Sequence, residues 1–158
     1  MKTKLTNEQV FGMAFVLKSK YPDLTKYDKR FNFAVSRTLS NIQPIAADVL
    51  KARETGVERF IEFEEKKKLL VQEYSTDGNF ETDEKKQECQ EKVNELAEEY
   101  KDALDERQKE VDIYNEILGE EVEVDIVQCR FEALPDDFDF DILRHLVKES
   151  DEEIEAMI

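Results

Sequence analysis

The fold of this chain is decided by residues 35–74, VSRTLSNIQPIAADVLKARETGVERFIEFEEKKKLLVQEY. Their spacing marks one side of a helix at alternating steps of four and three residues, the heptad pattern that keeps one stripe facing a partner helix. The stripe consists of Val35, Leu39, Ile42, Ala46, Val49, Arg53, Gly56, Phe60, Phe63, Lys67, Leu70 and Tyr74. Pro44 lies off the stripe, where it is expected to kink the helix. The pattern predicts one long helix through this stretch, diluted at Arg53, Gly56 and Lys67.

A second long helix follows after a short turn. Residues 75–81, STDGNFE, predict the turn because Asp, Gly and Asn tolerate positive φ. Thr82 or Asp83 then caps a helix that is expected to stop at Gly119. Its stripe consists of Cys89, Val93, Leu96, Tyr100, Leu104, Arg107, Val111, Tyr114 and Leu118. Two such helices lie antiparallel, which predicts a hairpin whose arms, of about 40 residues, span roughly 60 Å.

The two ends of the chain supply the smaller elements. Thr6 and Gln9 form a capping-box pattern that begins a short helix. Residues 122–126 alternate apolar and acidic side chains, as a half-buried strand does, and their best partner within the chain is the segment Lys2 to Thr6. We therefore expect both chain ends to meet in a two-stranded sheet.

The C-terminal part predicts one more helix, over residues 138–148. Its inward side chains are expected to be Phe138, Ile142 and Leu146, with Leu143 as a further candidate. Three aspartates at its start, Asp137, Asp139 and Asp141, are expected to cap it and to favour its dipole. Residues 154–158 are expected to form a tail.

Together these patterns predict a mainly α protein. Residues 1–27 form an N-terminal strand and short helix, 28–118 a long antiparallel, coiled-coil-like helical hairpin, and 119–158 a strand and a short C-terminal helix, with one minor two-stranded β element. All are expected to belong to a single domain, 1–158. The composition agrees, with 39% charged residues, 4 glycines and no tryptophan.

Charge is distributed unevenly along the chain, which has a formal net charge of −16. Residues 1–80 contain 14 Lys and Arg against 11 Asp and Glu, whereas residues 81–158 contain 9 against 28. Such a second half repels nucleic-acid phosphates and anionic lipid and attracts basic protein surfaces. Direct nucleic-acid binding and membrane association are therefore disfavoured, and a basic protein partner or a homo-oligomer is expected. Without a signal-peptide pattern or a spanning apolar run, the expected location is the cytoplasm.

Few residues have the spacing that catalysis or metal binding requires. The single histidine, His145, lacks a second ligand set. Asp137 begins a stretch like a calcium loop, but Ile142 stands where glycine is needed and Lys148 where glutamate is needed. Cys89 and Cys129 are expected to be buried free thiols. The sequence predicts no catalytic, cofactor-binding or metal-binding residue and favours a protein that is not an enzyme.

Acidic side chains follow the outer side of the second long helix. The candidate interaction residues are Glu91, Glu95, Glu98, Asp102 and Asp105, which share one side at helical spacing. A solvated outer face is the commoner meaning of such a pattern. The alternative is a mimic of DNA phosphates, since carboxylates about 5–6 Å apart on a rod approach phosphate spacing.

Several motifs carry a resemblance to a known family. They are the helix start Leu5-Thr6-Asn7, the segment Phe33-Ala34-Val35-Ser36-Arg37, the stretch from Leu70 to Tyr74, the turn Asp77-Gly78-Asn79, and residues 115–126, NEILGEEVEVDI. In these the chain resembles a family of small uncharacterised proteins of tailed bacteriophages, and it differs by a longer hairpin arm around residues 85–112. The resemblance implies a viral protein in the host cytoplasm, with no established catalytic residue.

Three functions are compatible with these features. The first is a phage accessory protein that binds a host or phage protein, for example to inhibit a host defence or a host enzyme. The second is a structural or assembly component of the virion, in which the apolar stripes serve self-association. The third is an acidic DNA mimic that inhibits a DNA-binding protein.

Overall fold

The computed structural model describes residues 1–148, and about 70% of the protein is helical. The elements are β1 (Lys2–Thr6), α1 (Asn7–Lys20), α2 (Lys29–Ala52), α3 (Glu58–Tyr74), α4 (Asp83–Glu99), α5 (Lys101–Gly119), β2 (Glu121–Asp125) and α6 (Phe140–Leu143), with single 3₁₀ turns at Leu24–Lys26, Phe131–Ala133 and Arg144–Leu146. The predicted mainly α class, with helical hairpins and one two-stranded sheet, is confirmed. The tail predicted at 154–158 lies outside the described residues.

Contacts divide the chain into two compact units. The first contains Met1–Ala52 together with the residues from Glu116 onward, and the second contains Arg53–Asn115. The sequence of the second unit is therefore inserted into that of the first. That residues 1–158 form one domain stays a prediction.

The first unit begins with the predicted capping box. The Thr6 hydroxyl accepts a hydrogen bond from the Gln9 backbone N–H (3.1 Å), and the Gln9 side chain accepts one from the Thr6 N–H (2.9 Å). These two bonds satisfy amide groups that a helix start leaves free, so α1 begins at Asn7. The face of α1 that is buried consists of Val10, Met13, Ala14 and Leu17, as predicted.

The chain ends also pair as predicted. Strands β1 and β2 are antiparallel, and Leu5 lies opposite Val122. Beyond the strands, the Ile126 N–H donates to the Met1 carbonyl (2.9 Å), and the Asn7 side-chain amide donates to the Ile117 carbonyl (2.8 Å). These bonds fix the C-terminal segment of the first unit against its N-terminus.

The prediction of one continuous helix through residues 35–74 is wrong, because α2 ends at Ala52 and α3 begins at Glu58. The backbone is extended at Val57, with φ −85° and ψ 99°. The first part of the stripe, including Val35 and Ile42, is buried with α1 and with C-terminal residues of the first unit. The hairpin prediction required this part of the stripe to pack against the second long helix. It is buried within the first unit instead.

The hairpin itself is confirmed in the second unit, where α3 packs against α4. At the turn, Asp77 and Gly78 both have positive φ (52° and 79°), and Thr76 and Asn79 exchange two backbone hydrogen bonds of 3.0 Å. Phe63 forms the small core of this unit with Tyr100 and Ala103. With 17 residues, α3 is about 25 Å long at 1.5 Å per residue, so the first arm is shorter than predicted.

The second arm has the predicted start and end, but it consists of two consecutive helices, α4 and α5, instead of one. Thr82 is its N-cap and accepts a hydrogen bond from the Lys85 N–H, and its last residue is Gly119. Tyr100 is the one residue between α4 and α5. Its N–H donates a hydrogen bond to the Leu96 carbonyl (3.1 Å), and its carbonyl accepts one from the Leu104 N–H (3.0 Å).

The C-terminal helix predicted over 138–148 is much shorter, since α6 has only four residues and a 3₁₀ turn follows. Val147 is extended (φ −91°, ψ 129°) and pairs with Cys129 in a parallel bridge, which stops the helix. Ile142, predicted inward, is 40% exposed, while Phe138, Leu143 and Leu146 are buried.

Candidate functional site

The predicted acidic face lies on α4 and α5. Its five carboxylates are all exposed, at Glu91, Glu95, Glu98, Asp102 and Asp105. Within α4 the steps of four and three residues keep Glu91, Glu95 and Glu98 on one side, and the step of three does the same for Asp102 and Asp105 on α5. Tyr100, with φ −104° and ψ 21°, lies between the two helices and divides the predicted face into these two groups.

The opposite side of the same helices holds them in place. Cys89, Tyr100 and Ala103 are buried, and Leu96 and Leu104 are half-buried against the same small core. This burial fixes the rotation of α4 and α5 about their axes. The acidic face is consequently directed to solvent by the apolar stripe that the sequence predicted.

The five carboxylates differ in their ionic partners. Glu95 lies 3.9 Å from Lys92 Nζ, and Asp102 is paired with the guanidinium of Arg59 on α3. Within residues 1–148, Glu91, Glu98 and Asp105 form no ion pair. Three of the five charges thus have no ionic partner in the part of the chain that the structure describes.

Two cations from α3 contact the ring of Tyr100. The Arg59 guanidinium carbon lies 4.9 Å from the ring centroid and Lys66 Nζ lies 5.1 Å from it. Lys66 also donates a hydrogen bond to the Tyr100 hydroxyl (2.7 Å), which raises the pKa of its ammonium. These cation–π contacts are typical of structural packing, and they tie α3 to the arm that presents the acidic face.

A carboxylate that the sequence did not single out closes the open end of the hairpin. Glu110 accepts hydrogen bonds from the Thr55 hydroxyl (2.5 Å) and the Gly56 N–H (2.9 Å). Those bonds, first that from Thr55, lower the pKa of Glu110. Arg107 donates to Glu110 (3.2 Å) and to the Arg53 carbonyl (3.2 Å). Glu110 thereby satisfies the Gly56 N–H and the Thr55 hydroxyl at the break between α2 and α3, while Arg107 satisfies the Arg53 carbonyl.

A basic cleft in the first unit was also missed. It has a volume of about 570 Å³, and its lining includes Lys29, Arg30, Phe33, Arg130 and Lys148. These residues come from three separated parts of the chain. The only hint in the sequence was the balance of charge in residues 1–80, which left room for a local basic patch.

An apolar groove lies between α1 and α2. It has a volume of about 250 Å³ and is lined by side chains that include Phe11, Phe15, Ala47 and Leu50. Phe15 is 65% exposed and Leu50 is 51% exposed. Such large apolar side chains in water mark a surface that could be covered by a partner.

The residues whose side chains could take part in catalysis or metal binding have structural roles instead. Asp139 accepts the Ile142 N–H (3.2 Å) and caps α6, in line with the capping role predicted for these aspartates. Cys89 and Cys129 are buried free thiols, as predicted, and burial raises the pKa of Cys129 to about 11. Across residues 1–148, no three or more of His145, the cysteines and the carboxylates form a group that could hold a metal ion.

The fold and these surfaces define the class as a mainly helical protein with exposed charged faces. Comparisons of the chain with protein-family models, with curated proteins and with solved structures find no match. In the part of the chain that the structure describes, no helix combines the length and the apolar character needed to cross a membrane.

Proposed function

We propose that this chain is a non-enzymatic bacteriophage accessory protein that binds the basic surface of a host or phage protein through its acidic face. Binding of this kind inhibits a host defence or a host enzyme by covering its cationic site. The protein acts in the host cytoplasm. The phage origin rests on the resemblance of the sequence motifs, and the mode of action rests on the surface of α4 and α5.

The single observation that carries the mode of action is the exposure of five carboxylates at helical spacing on the consecutive helices α4 and α5. Glu91, Glu98 and Asp105 lack ionic partners among residues 1–148, so a cationic surface gains their full attraction. Charge complementarity of this kind raises the association rate and selects partners of the opposite sign.

DNA mimicry is the special case in which the partner is a DNA-binding protein. The helical steps between Glu91, Glu95 and Glu98 support it, because residues three or four apart on a helix have Cβ atoms about 5–6 Å apart. The interspersed Lys92 and Lys101 weaken the resemblance to a phosphate chain. Displacement of DNA from the partner distinguishes this case from simple coverage of a basic surface.

Virion assembly is the second candidate, and a different observation favours it. Phe15 and Leu50 are exposed beside the apolar groove of the first unit. A second copy of the chain that covered them would bury apolar surface at roughly 25 cal/mol per Å². Sedimentation at high protein concentration tests this candidate, and a strictly monomeric species excludes it.

The test of the first proposal is a variant with Glu91, Glu95 and Glu98 changed to glutamine. Asp102 is kept, because its pairing with Arg59 stabilises the unit. The chain is used to capture proteins from bacterial lysate, and a captured protein is then titrated against each variant. We expect the triple variant to bind at least about ten-fold more weakly, since the lost charges are those that the partner contacts.

The matched control changes Glu64, Glu65 and Glu73 on α3 to glutamine. All three are exposed, and the control removes the same number of charges as the test variant. This control should keep its affinity at physiological salt, because general attraction is screened within about 8 Å. Equal weakening of both variants would show that net charge alone is responsible. Failure to capture any saturable partner would count against protein binding itself.

A further inference from the structure

The basic cleft of the first unit gathers four cations that have no partner within the described residues. Lys29 and Arg30 stand in the first turn of α2, Arg130 follows β2, and Lys148 follows the last 3₁₀ turn. None of the four forms an ion pair with another residue among 1–148, and no carboxylate lines the cleft. The chain has 39 acidic residues against 23 Lys and Arg, so this local excess of cations differs from the average charge of the chain.

This arrangement works against stability. Lys29 and Arg30 lie at the N-terminal end of a helix, where the dipole disfavours positive charge. The Asp28 carboxylate accepts the Arg30 backbone N–H (2.8 Å) and caps this end, but the first turn of α2 itself contains no acidic residue. Four like charges around one cleft also repel one another. A ligand with negative charge reduces both costs, so its binding lowers the free energy of the protein.

The walls of the cleft are fixed by hydrogen bonds. Val127 exchanges two bonds with the buried Thr38 hydroxyl on α2, at 2.9 and 3.3 Å. Cys129 donates from its N–H to the Leu146 carbonyl (2.8 Å), and its carbonyl accepts from the Lys148 N–H (2.8 Å). The three chain segments are thereby held together before any ligand arrives, which lowers the entropy that binding loses.

Phe33 gives the cleft an apolar element. Its side chain is 63% exposed although it is large and aromatic, and it lines the same cleft as the cations. A ligand that is only anionic leaves this ring in water. One that carries an apolar side chain beside its carboxylates uses both parts of the surface.

We propose that the cleft binds an acidic segment of a partner protein, with carboxylates on Arg30, Arg130 and the two lysines and an apolar side chain on Phe33. Arginine pairs with carboxylate through two parallel hydrogen bonds, which suits a peptide ligand. A long nucleic acid is disfavoured because the chain as a whole has a net charge of −16 and the basic residues surround one cleft instead of forming a track. This site is independent of the acidic face, so the chain can join a basic partner to an acidic one.

The experiment is a fluorescence-anisotropy titration of the full chain with a short labelled peptide that is rich in glutamate and contains one phenylalanine. A variant with Arg30→Gln and Arg130→Gln should bind at least about ten-fold more weakly, since each loses a hydrogen bond between charged groups. Phe33→Ala should weaken binding several-fold, roughly the effect of one exposed aromatic contact, without changing the salt dependence. Both changes are at the surface, so circular dichroism is expected to remain that of the folded protein.

The matched control changes Lys4 and Lys51 to glutamine, which are exposed cations of the same unit outside the cleft. It should bind the peptide as the unmodified chain does. Equal binding by the Arg30 and Arg130 variant overturns the proposal, and so does equal binding of a peptide with glutamine in place of glutamate.

Three further outcomes would assign the cleft to another occupant and overturn the proposal. The first is tighter binding of a single-stranded oligonucleotide than of the peptide. The second is self-association that the Arg30 and Arg130 variant abolishes, which indicates a second copy. The third is peptide binding only after the five acidic residues at 149–155 are replaced by amides, which indicates that the protein's own acidic segment competes.

Discussion

The Thr38 hydroxyl and the Val127 backbone form two hydrogen bonds with each other. Val127 N–H donates to Thr38 Oγ1 (2.9 Å), and the same hydroxyl donates to the Val127 carbonyl (3.3 Å). Thr38 is fully buried, and its partner lies 89 residues later in the sequence. One side chain on α2 thus satisfies both backbone groups of a loop residue that lines the basic cleft.

Replacing Thr38 with valine should destabilise the protein by about 2 kcal/mol, because two buried backbone groups of Val127 lose their partner while the volume is unchanged. Urea denaturation followed by circular dichroism measures the difference. Ser40→Ala, an exposed change on the same helix, is the control and should leave the free energy of unfolding unaltered. Unchanged stability of the valine variant would mean that these bonds contribute little.

Glu110 should give the protein a stability that depends on pH. Its pKa is lowered in the folded state by the bonds from Thr55 and Gly56, so its contribution is present above the ordinary glutamate pKa and is lost as the pH falls through the folded value. Glu110→Gln should therefore be less stable than the unmodified chain at neutral pH, and the difference should shrink as the pH falls below the ordinary glutamate pKa. Glu106→Gln, an exposed neighbour, should show no such difference.

Two glycines should respond in opposite directions to alanine. Gly78 has φ +79° in the hairpin turn, so Gly78→Ala should lower the free energy of unfolding by about 1 kcal/mol. Gly12 lies inside α1 with no atom within 4 Å of an added Cβ, so Gly12→Ala should raise it by up to about 1 kcal/mol. Thermal denaturation of the two variants checks the signs, and a stabilising Gly78→Ala would contradict the turn geometry.

Tyr21 should limit stability in alkaline solution. Its ring is buried, and burial together with the nearby Asp137 raises the pKa of Tyr21 to about 12. The unfolded chain ionises near 10, so the stability linked to this group is full below that value and is lost as the pH rises toward 12. Tyr21→Phe should be at least as stable at neutral pH and should gain on the unmodified chain near about pH 11. A constant difference across this range would show that Tyr21 ionises normally.

Local chemistry allowed much of the fold to be predicted. The capping box at Thr6, the turn at Gly78 and the alternation in residues 122–126 each depend on neighbouring residues. The apolar stripe of α4 and α5 fixed which side of the helix faces water, and with it the acidic candidate residues. Their role in binding stays a prediction.

What the sequence did not reveal depends on distant contacts. The heptad spacing runs without a shift through residues 53–57, so it cannot indicate where α2 ends. The carboxylate that satisfies this break belongs to Glu110, 54 residues after Gly56. The basic cleft is likewise assembled from three distant segments, and α6 is cut short by the pairing of Val147 with Cys129.

The pairing of β1 with β2 has a consequence for biosynthesis. Lys2 cannot pair with Asp125 until Asp125 has left the ribosome, so the sheet forms late. All residues of the second unit are synthesised before then. Residues 53–115 can therefore reach their native contacts first on the nascent chain, by short-range steps. During that interval α1 and α2 have only each other to shield their apolar sides, so the growing polypeptide is most exposed to aggregation, and to chaperone capture, just before its C-terminal segment emerges.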